Sequence, residues 1–167
     1  METSSSASIV LLRHGHTAWN RAGTLIGQTD IPLDAGGRQE AKKAVGLLTG
    51  IDAIYSSPLA RCKETAEIIG ACLGLQVKLL KGLSERHWGI FEGRSKLERD
   101  LYRDPEGGET IAEFRARVAK TLPRIVGARP LVVTHSGVIR LLSAQPHVRI
   151  PHAEPIELPF EDVASLR

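Results

Sequence analysis

Ile9, Val10, Leu11 and Leu12 form an unbroken apolar run that ends abruptly at Arg13-His14-Gly15. A short run with no polar member is a strand covered on both faces, which is the habit of an inner strand in a parallel sheet. In open α/β sheets, ligands gather just beyond the carboxyl ends of such strands. The residues placed there are chemically loaded. Arg13 carries a fixed charge on a fork of donors suited to phosphate or carboxylate. His14 carries a nitrogen able to accept a proton or attack as a nucleophile near neutral pH. Gly15 lets the backbone turn or lie against a ligand. The residues alone therefore point to His14 acting on a phosphate held by Arg13.

The rest of the chain alternates strand-like and helix-like patterns. Asp34 is placed as the N-cap of a helix over residues 35–48, with Ala41, Ala44, Val45 and Leu48 on one face and Gly50 as the stop. A strand is expected at 53–55. Ser56-Ser57-Pro58 reads as a helix start, with serine at the cap and proline in the first turn, and the helix is expected to reach about residue 71. Its apolar face is Leu59, Cys62, Ala66 and Ile69. A third strand is expected at 76–80, and a loop at 82–108. A helix over 109–122 should bury Ile111, Phe114, Val118 and Leu122 before Pro123 stops it. A fourth apolar strand covers 131–133, a short helix runs on to 142, and Pro159 marks an edge strand at 156–160. This alternation predicts a three-layer α/β/α sandwich with a largely parallel central sheet. It is read as one domain over residues 1–167, with a frayed, serine-rich start at 1–7.

Composition narrows the function classes. Net charge is +3 and no basic run is interleaved with aromatics, which argues against nucleic acid. No apolar stretch is long enough for a membrane span or a signal peptide, so a cytoplasmic protein is expected. Cys62 and Cys72 fall ten residues apart on one predicted helix, about 15 Å at 1.5 Å rise per residue, too far to bridge. Both are read as buried thiols. Cysteine-phosphatase chemistry needs an arginine six residues after the nucleophile, but Ile68 and Lys78 occupy those positions. Ser136 lacks the paired glycines of a nucleophile elbow. A metal site built on His14 and His16, with His87 and His135, is disfavoured by Arg13 beside it.

Two histidines share one setting: His14 follows a buried strand, and so does His135 in Thr134-His135-Ser136-Gly137. Arg61 lies early in a helix that also follows a strand. Parallel strands would open all of them on one sheet edge, near helix N-termini that donate to anions.

At this point six ordered segments resemble the histidine phosphatase superfamily, which includes the cofactor-dependent phosphoglycerate mutases. They are Arg13-His14-Gly15 with Thr17-Ala18-Trp19-Asn20; Asp30-Ile31-Pro32-Leu33; Ser56-Ser57-Pro58-Leu59-Ala60-Arg61 with Glu64-Thr65-Ala66; Glu85 with Trp88-Gly89-Ile90-Phe91-Glu92-Gly93; Pro105 to Thr110; and Thr134-His135-Ser136-Gly137. The resemblance implies a phosphoglycerate mutase-like fold and a phosphatase working without metal or cofactor. It implies that His14 becomes phosphohistidine and that Arg13 and Arg61 bind the phosphoryl oxygens. It implies that His135 stabilises the group in flight and that Asn20 and the backbone at Ser136 add contacts. Glu85 would be the acid and then the base, with Glu92 and Glu106 as nearby competitors. His16 and His87 are read as loop residues, and Trp88 and Phe91 as either mouth or core. The short segment between Glu85 and Gly107 implies a shallow site suited to hydrolysis of a phosphorylated metabolite or phosphoprotein. The alternatives are mutase-type phosphoryl transfer and a binding module without turnover.

Overall fold

The computed structural model describes residues 7–100 and 103–163. The frayed start expected at 1–7 lies outside the described residues except for Ala7. Five strands form one sheet: β1 (Ser8–Arg13), β2 (Ile54–Ser56), β3 (Val77–Leu79), β4 (Leu131–Thr134) and β5 (Pro155–Pro159). Their order is β3-β2-β4-β1-β5. The first four are parallel, and β5 runs antiparallel along β1. The apolar run of β1 pairs in register with β4, Val10 with Leu131 through Arg13 with Thr134. That register brings the carboxyl ends of the two strands level and so sets His14 beside His135.

Alternation along each strand divides the core into two halves. Ile9, Leu11, Tyr55 and Val132 face α4 (Ile111–Thr121) and α5 (Ser136–Leu142), packing on Phe114, Val118, Ile139 and Leu142. Val10, Leu12, Ile54 and Val133 face α2 (Ala35–Ala44) and α3 (Ala60–Leu73), packing on Ala44, Cys62, Ala66 and Ile69. The four apolar side chains of β1 are almost completely buried. At about 1.5–3 kcal/mol each, their burial anchors the strand from which the site projects. This is the expected three-layer α/β/α arrangement. No helix among the described residues is long and apolar enough to cross a membrane.

Several local expectations are corrected. The connection after β1 contains a short helix, α1 (Ala18–Arg21), closed by a reciprocal cap between Thr17 and Asn20. The helix capped by Asp34 tightens into a 3-10 turn at Val45–Leu47. Helix α3 starts at Ala60, not at Pro58, because Ser57 is drawn elsewhere: its amide donates to the Val133 carbonyl and its hydroxyl bonds His135. The Ala60 amide is instead received by the carboxylate of Asp30, at 2.7 Å, from the other side of the site. The third strand is only three residues long. Helix α4 begins after the Thr110/Glu113 capping box, which leaves Ile111 outside the core at 48% exposure. Cys72 is exposed, while Cys62 is buried as expected. Pro159 does lie on an edge strand.

Candidate active site

The carboxyl ends of β1, β2 and β4 and the loops after them enclose a cavity of about 40 Å³. At about 10–15 Å³ per water, that is the room of roughly three waters, the scale of one phosphoryl group. Arg13, His14, Asn20, Arg61, Glu85, His135 and Ser136 all line it, so the site residues expected from the sequence meet at one place.

His14 is buried, and its Nδ1 lies 2.7 Å from the carbonyl oxygen of Gly15. A carbonyl can only accept, so the proton sits on Nδ1 and Nε2 keeps its lone pair. Burial, then the charges of Arg61 and Arg13 and the nearby His135, hold its pKa well below the usual 6.5. The ring is therefore neutral at pH 7 with a free nucleophilic nitrogen. Its backbone is clamped. Gly15 donates to Thr65 Oγ1, and a Cβ at Gly15 would come within 2.4 Å of the Gly37 carbonyl oxygen. In return, a Cβ at Gly37 would meet the His16 carbonyl oxygen at 2.1 Å. These two glycines let α2 lie backbone against backbone on the His14 loop.

His135 sits with its ring centroid 5.3 Å from that of His14. Its Nε2 is 2.8 Å from the Ser57 hydroxyl and 3.3 Å from the Cys62 sulfur. Burial, followed by Arg61 and Arg13, keeps it neutral as well. Burial also pushes the Cys62 thiol up, which removes it as a nucleophile.

The two arginines carry the electrostatic argument. Arg13 Nη1 donates to the Ile150 carbonyl at 2.8 Å. Arg61 donates to the carbonyls of Thr29, at 3.0 Å, and Gly27, at 2.6 Å. Neither has a carboxylate partner among the described residues, and burial lowers both pKa values, Arg13 to about 10. The Nε atoms of Arg13 and Arg61 are the two buried side-chain nitrogen or oxygen atoms among the described residues that lack a hydrogen-bond partner. Buried charges and donors are normally paired. Two that converge on one small cavity mark an anion site.

Glu85 is the single carboxylate among the described residues lining that cavity. Its Oε2 accepts from the Gly137 amide at 3.0 Å and its Oε1 from the Arg86 amide at 2.9 Å. Gln28 and Arg117 both donate to its backbone carbonyl. Arg117 also forms a forked ion pair with Glu109 and bonds the carbonyls of Gly82 and Ser84, so one guanidinium fixes the loop that presents Glu85. The competitors fall away. Glu92 is occupied by the amides of Gln28, Thr29 and Trp88 and by the Thr29 hydroxyl. Glu106 does not line the cavity. Asn20 is partly spent on structure, since its Oδ1 receives the Thr17 amide and hydroxyl. His16 pairs with Glu40, and His87 does not line the cavity. Trp88 is a mouth residue.

Three groups escaped the sequence reading. Lys96 and Arg99 line the cavity from the 82–108 loop; no motif or period marks them. His152 donates from Nδ1 to the His14 carbonyl at 2.7 Å and lies over His16, with ring centroids 3.7 Å apart. Burial, then Arg13, lowers its pKa to about 3. The next residue, Ala153, holds a φ of 53° and donates its amide to the Arg13 carbonyl at 2.9 Å. A non-glycine residue there is strained by about 1–2 kcal/mol, and the turn brings His152 against the His14 backbone.

A family model, the histidine phosphatase superfamily (branch 1), matches residues 9–167. The chain is 37% identical over 168 residues to phosphoglycerate mutase-like protein 4 of Arabidopsis thaliana, covering 86% of this chain and 73% of that protein. It is 33% identical to the metal-independent phosphoserine phosphatase of Arabidopsis thaliana, covering 83% and 68%. Among solved structures, phosphoglycerate mutase from Thermus thermophilus superposes with a TM-score of 0.77 at 32% identity, covering 90% of this chain and 92% of that one.

Proposed function

We propose, starting from the fact that the chain belongs to the histidine phosphatase superfamily, that it is a metal-independent phosphomonoesterase working through a phosphohistidine on His14. The observation that carries the reading is the pair of arginines with buried, unpartnered Nε atoms that line one cavity with a neutral histidine whose Nε2 is free. Both phosphatases and mutase-like proteins occur among its relatives.

In this mechanism a phosphoryl dianion enters between Arg13 and Arg61, whose Nε–H groups gain acceptors. The cations and the Ser136 amide hold the equatorial oxygens and offset the charge that builds on them. His14 Nε2 attacks phosphorus in line as the ester oxygen departs. Glu85 gives that oxygen its proton, the alcohol leaves, and an N–P bond remains. The Gly15 carbonyl, bonded to Nδ1–H, steadies the positive ring that results. Water then enters on the Glu85 side, gives up a proton to the carboxylate and attacks phosphorus, so that inorganic phosphate leaves and His14 is restored. Two transfers replace one hard hydrolysis. His135 stays neutral and faces the group in transit. A cavity in which, among the described residues, arginine and lysine outnumber the one carboxylate repels a divalent cation, which supports a reaction run on arginine charge.

The test is mass spectrometry of protein quenched in alkali during turnover of a phosphate ester. A phosphoryl adduct that is labile to acid, maps to His14 and is missing in His14→Ala is the expected result. A folded protein that forms no adduct and turns over none of a broad ester panel would overturn the proposal in favour of a binding module. Transfer of the phosphoryl group between two positions of one substrate, with no free phosphate released, would favour the mutase reading.

A further inference from the structure

The phosphate cavity opens into a second, larger hollow of about 700 Å³. Glu85, Trp88, Arg99 and Ser136 line both. The remaining walls come from the first turns of α4, at Ile111 and Arg115, and from α5 and the turn after it, at Arg140, Leu141, Ala144 and Pro146. We propose that this groove is the subsite for the leaving alcohol, and that it selects phosphomonoesters whose alcohol has a flat or hydrocarbon body and carries a second anionic group. The proposal rests on the hydrolase reading above and adds the class of substrate.

Position comes first. The oxygen that receives a proton from Glu85 must lie on the Glu85 side of phosphorus, and the groove is the space that Glu85 borders there. Size comes second. Binding pockets for organic ligands span about 300–1,000 Å³, so this one suits a body well beyond three or four carbons. The walls supply the apolar character: Leu141, Ala144, Pro146 and the outward-facing Ile111, beside the Trp88 ring, over which Arg86 and Arg99 lie. The exposure of Ile111, which the helix pattern alone would bury, is accounted for if it packs on a ligand.

Charge adds the anion. Arg115 and Arg140 have no ion pair among the described residues, whereas Arg86 in the same wall is spent on Asp104 at 2.8 Å and Arg99 lies over the Trp88 ring. Arg140 is oriented by donating from Nε to the Val148 carbonyl at 2.9 Å. The one lining carboxylate among the described residues, Glu85, is held by the two backbone amides already described. Ala144 holds a φ of 53° at the end of α5, a strained alanine in the turn that folds Pro146 onto the groove.

The experiment compares 6-phosphonooxy-2-naphthoate with 2-naphthyl phosphate, two esters that differ by one distal carboxylate. Native protein should favour the carboxylate ester in kcat/KM by about tenfold, the worth of one partly desolvated ion pair. In Arg115→Ala/Arg140→Ala the ratio should fall towards one. Comparing the ratio in native protein with the ratio in the variant cancels any general loss of activity and the intrinsic reactivity of the esters. Fluorescence titration with the product, 6-hydroxy-2-naphthoate, requires no turnover. Equal kcat/KM for the two esters in native protein overturns the groove proposal and leaves the hydrolase standing. No turnover of either ester or of the broad panel, and no adduct on His14, with saturable product binding that the double variant abolishes, supports the groove and refutes the hydrolase. Neither turnover nor binding of the naphthoate pair overturns the groove proposal.

Discussion

Replacing Glu85 by glutamine separates the two jobs assigned to this carboxylate. Its oxygens receive two backbone amides, from Arg86 and Gly137. A glutamine keeps one acceptor and turns an NH2 towards the other amide, which leaves a donor unsatisfied at about 1–3 kcal/mol. In a domain of this size each kcal/mol moves Tm by about 2–4 °C, so the variant should melt roughly 2–12 °C lower and still fold. The kinetic consequence depends on the leaving group. Because kcat/KM reports only the first phosphoryl transfer, an alkyl phosphate, whose alkoxide needs a proton, should lose about 10²–10⁴-fold. p-Nitrophenyl phosphate releases an anion that is stable without one, so its kcat/KM should fall by less than about tenfold when the acid is lost. Its kcat should fall further, since the water that attacks phosphohistidine has lost its base. Stopped-flow mixing should then show a burst of nitrophenolate approaching one per chain. Equal losses in kcat/KM for both esters, in a variant that melts as a folded protein, would refute the acid role and leave Glu85 as a brace between two loops.

His14 and His135 titrate well below 6.5 in the folded state, and His152 near 3. The unfolded chain therefore takes up protons that the folded one refuses, and stability that is complete above about pH 7 is lost as pH falls through 6.5. Each histidine contributes about 1.4 kcal/mol per pH unit once its unfolded form is charged, so the urea midpoint in phosphate-free buffer should drop steeply between about pH 6.5 and 5. A flat profile there would be incompatible with two buried neutral imidazoles and a third that is half-buried. Arg61→Met should abolish the rise in Tm that vanadate or phosphate gives native protein, a stabilisation worth about 2.7 kcal/mol at a hundredfold excess over Kd; a rise of native size in the variant would remove Arg61 from the anion site. Gly37→Ala places a methyl 2.1 Å from the His16 carbonyl oxygen. It should cost about 1–3 kcal/mol in thermal unfolding, and about 10²-fold in kcat/KM if the His14 loop shifts by about 1 Å. Native stability and activity in that variant would show the contact to be slack.

The strand ends were legible because a fully apolar run has few readings, and the residues that follow such runs in a parallel sheet share an edge. That is why Arg13, His14 and His135 could be placed together. Glu85 was legible only through its resemblance to a family segment, since nothing in the residues separates it from Glu92. The structure separates them by the donors gathered around each carboxylate. Helix starts were legible where the cap is local, as at Asp34, and illegible where tertiary partners compete. Ser57 looks like a cap but bonds His135, and the helix takes its acceptor from Asp30 instead. Arg99, Arg117 and His152 had no signal at all. Their importance depends on where an irregular loop and the entry into the last strand cross the sheet, and neither has a period to read.

Strand β5 also bears on how this protein behaves in a crowded solution. Side chains and amides alternate along a strand, and the Phe160 amide points inward to the Ala7 carbonyl. Positions 155, 157 and 159 therefore turn their amides outward, and two of these are prolines. The outer rim of β5 keeps a single N–H donor, at Glu157, whose carboxylate is bonded to Arg129. At the opposite rim, β3 is three residues long with Lys78 at its centre. A sheet finished this way at both rims offers little for a stray strand to zip onto, which favours a chain that stays dispersed instead of growing into fibrils.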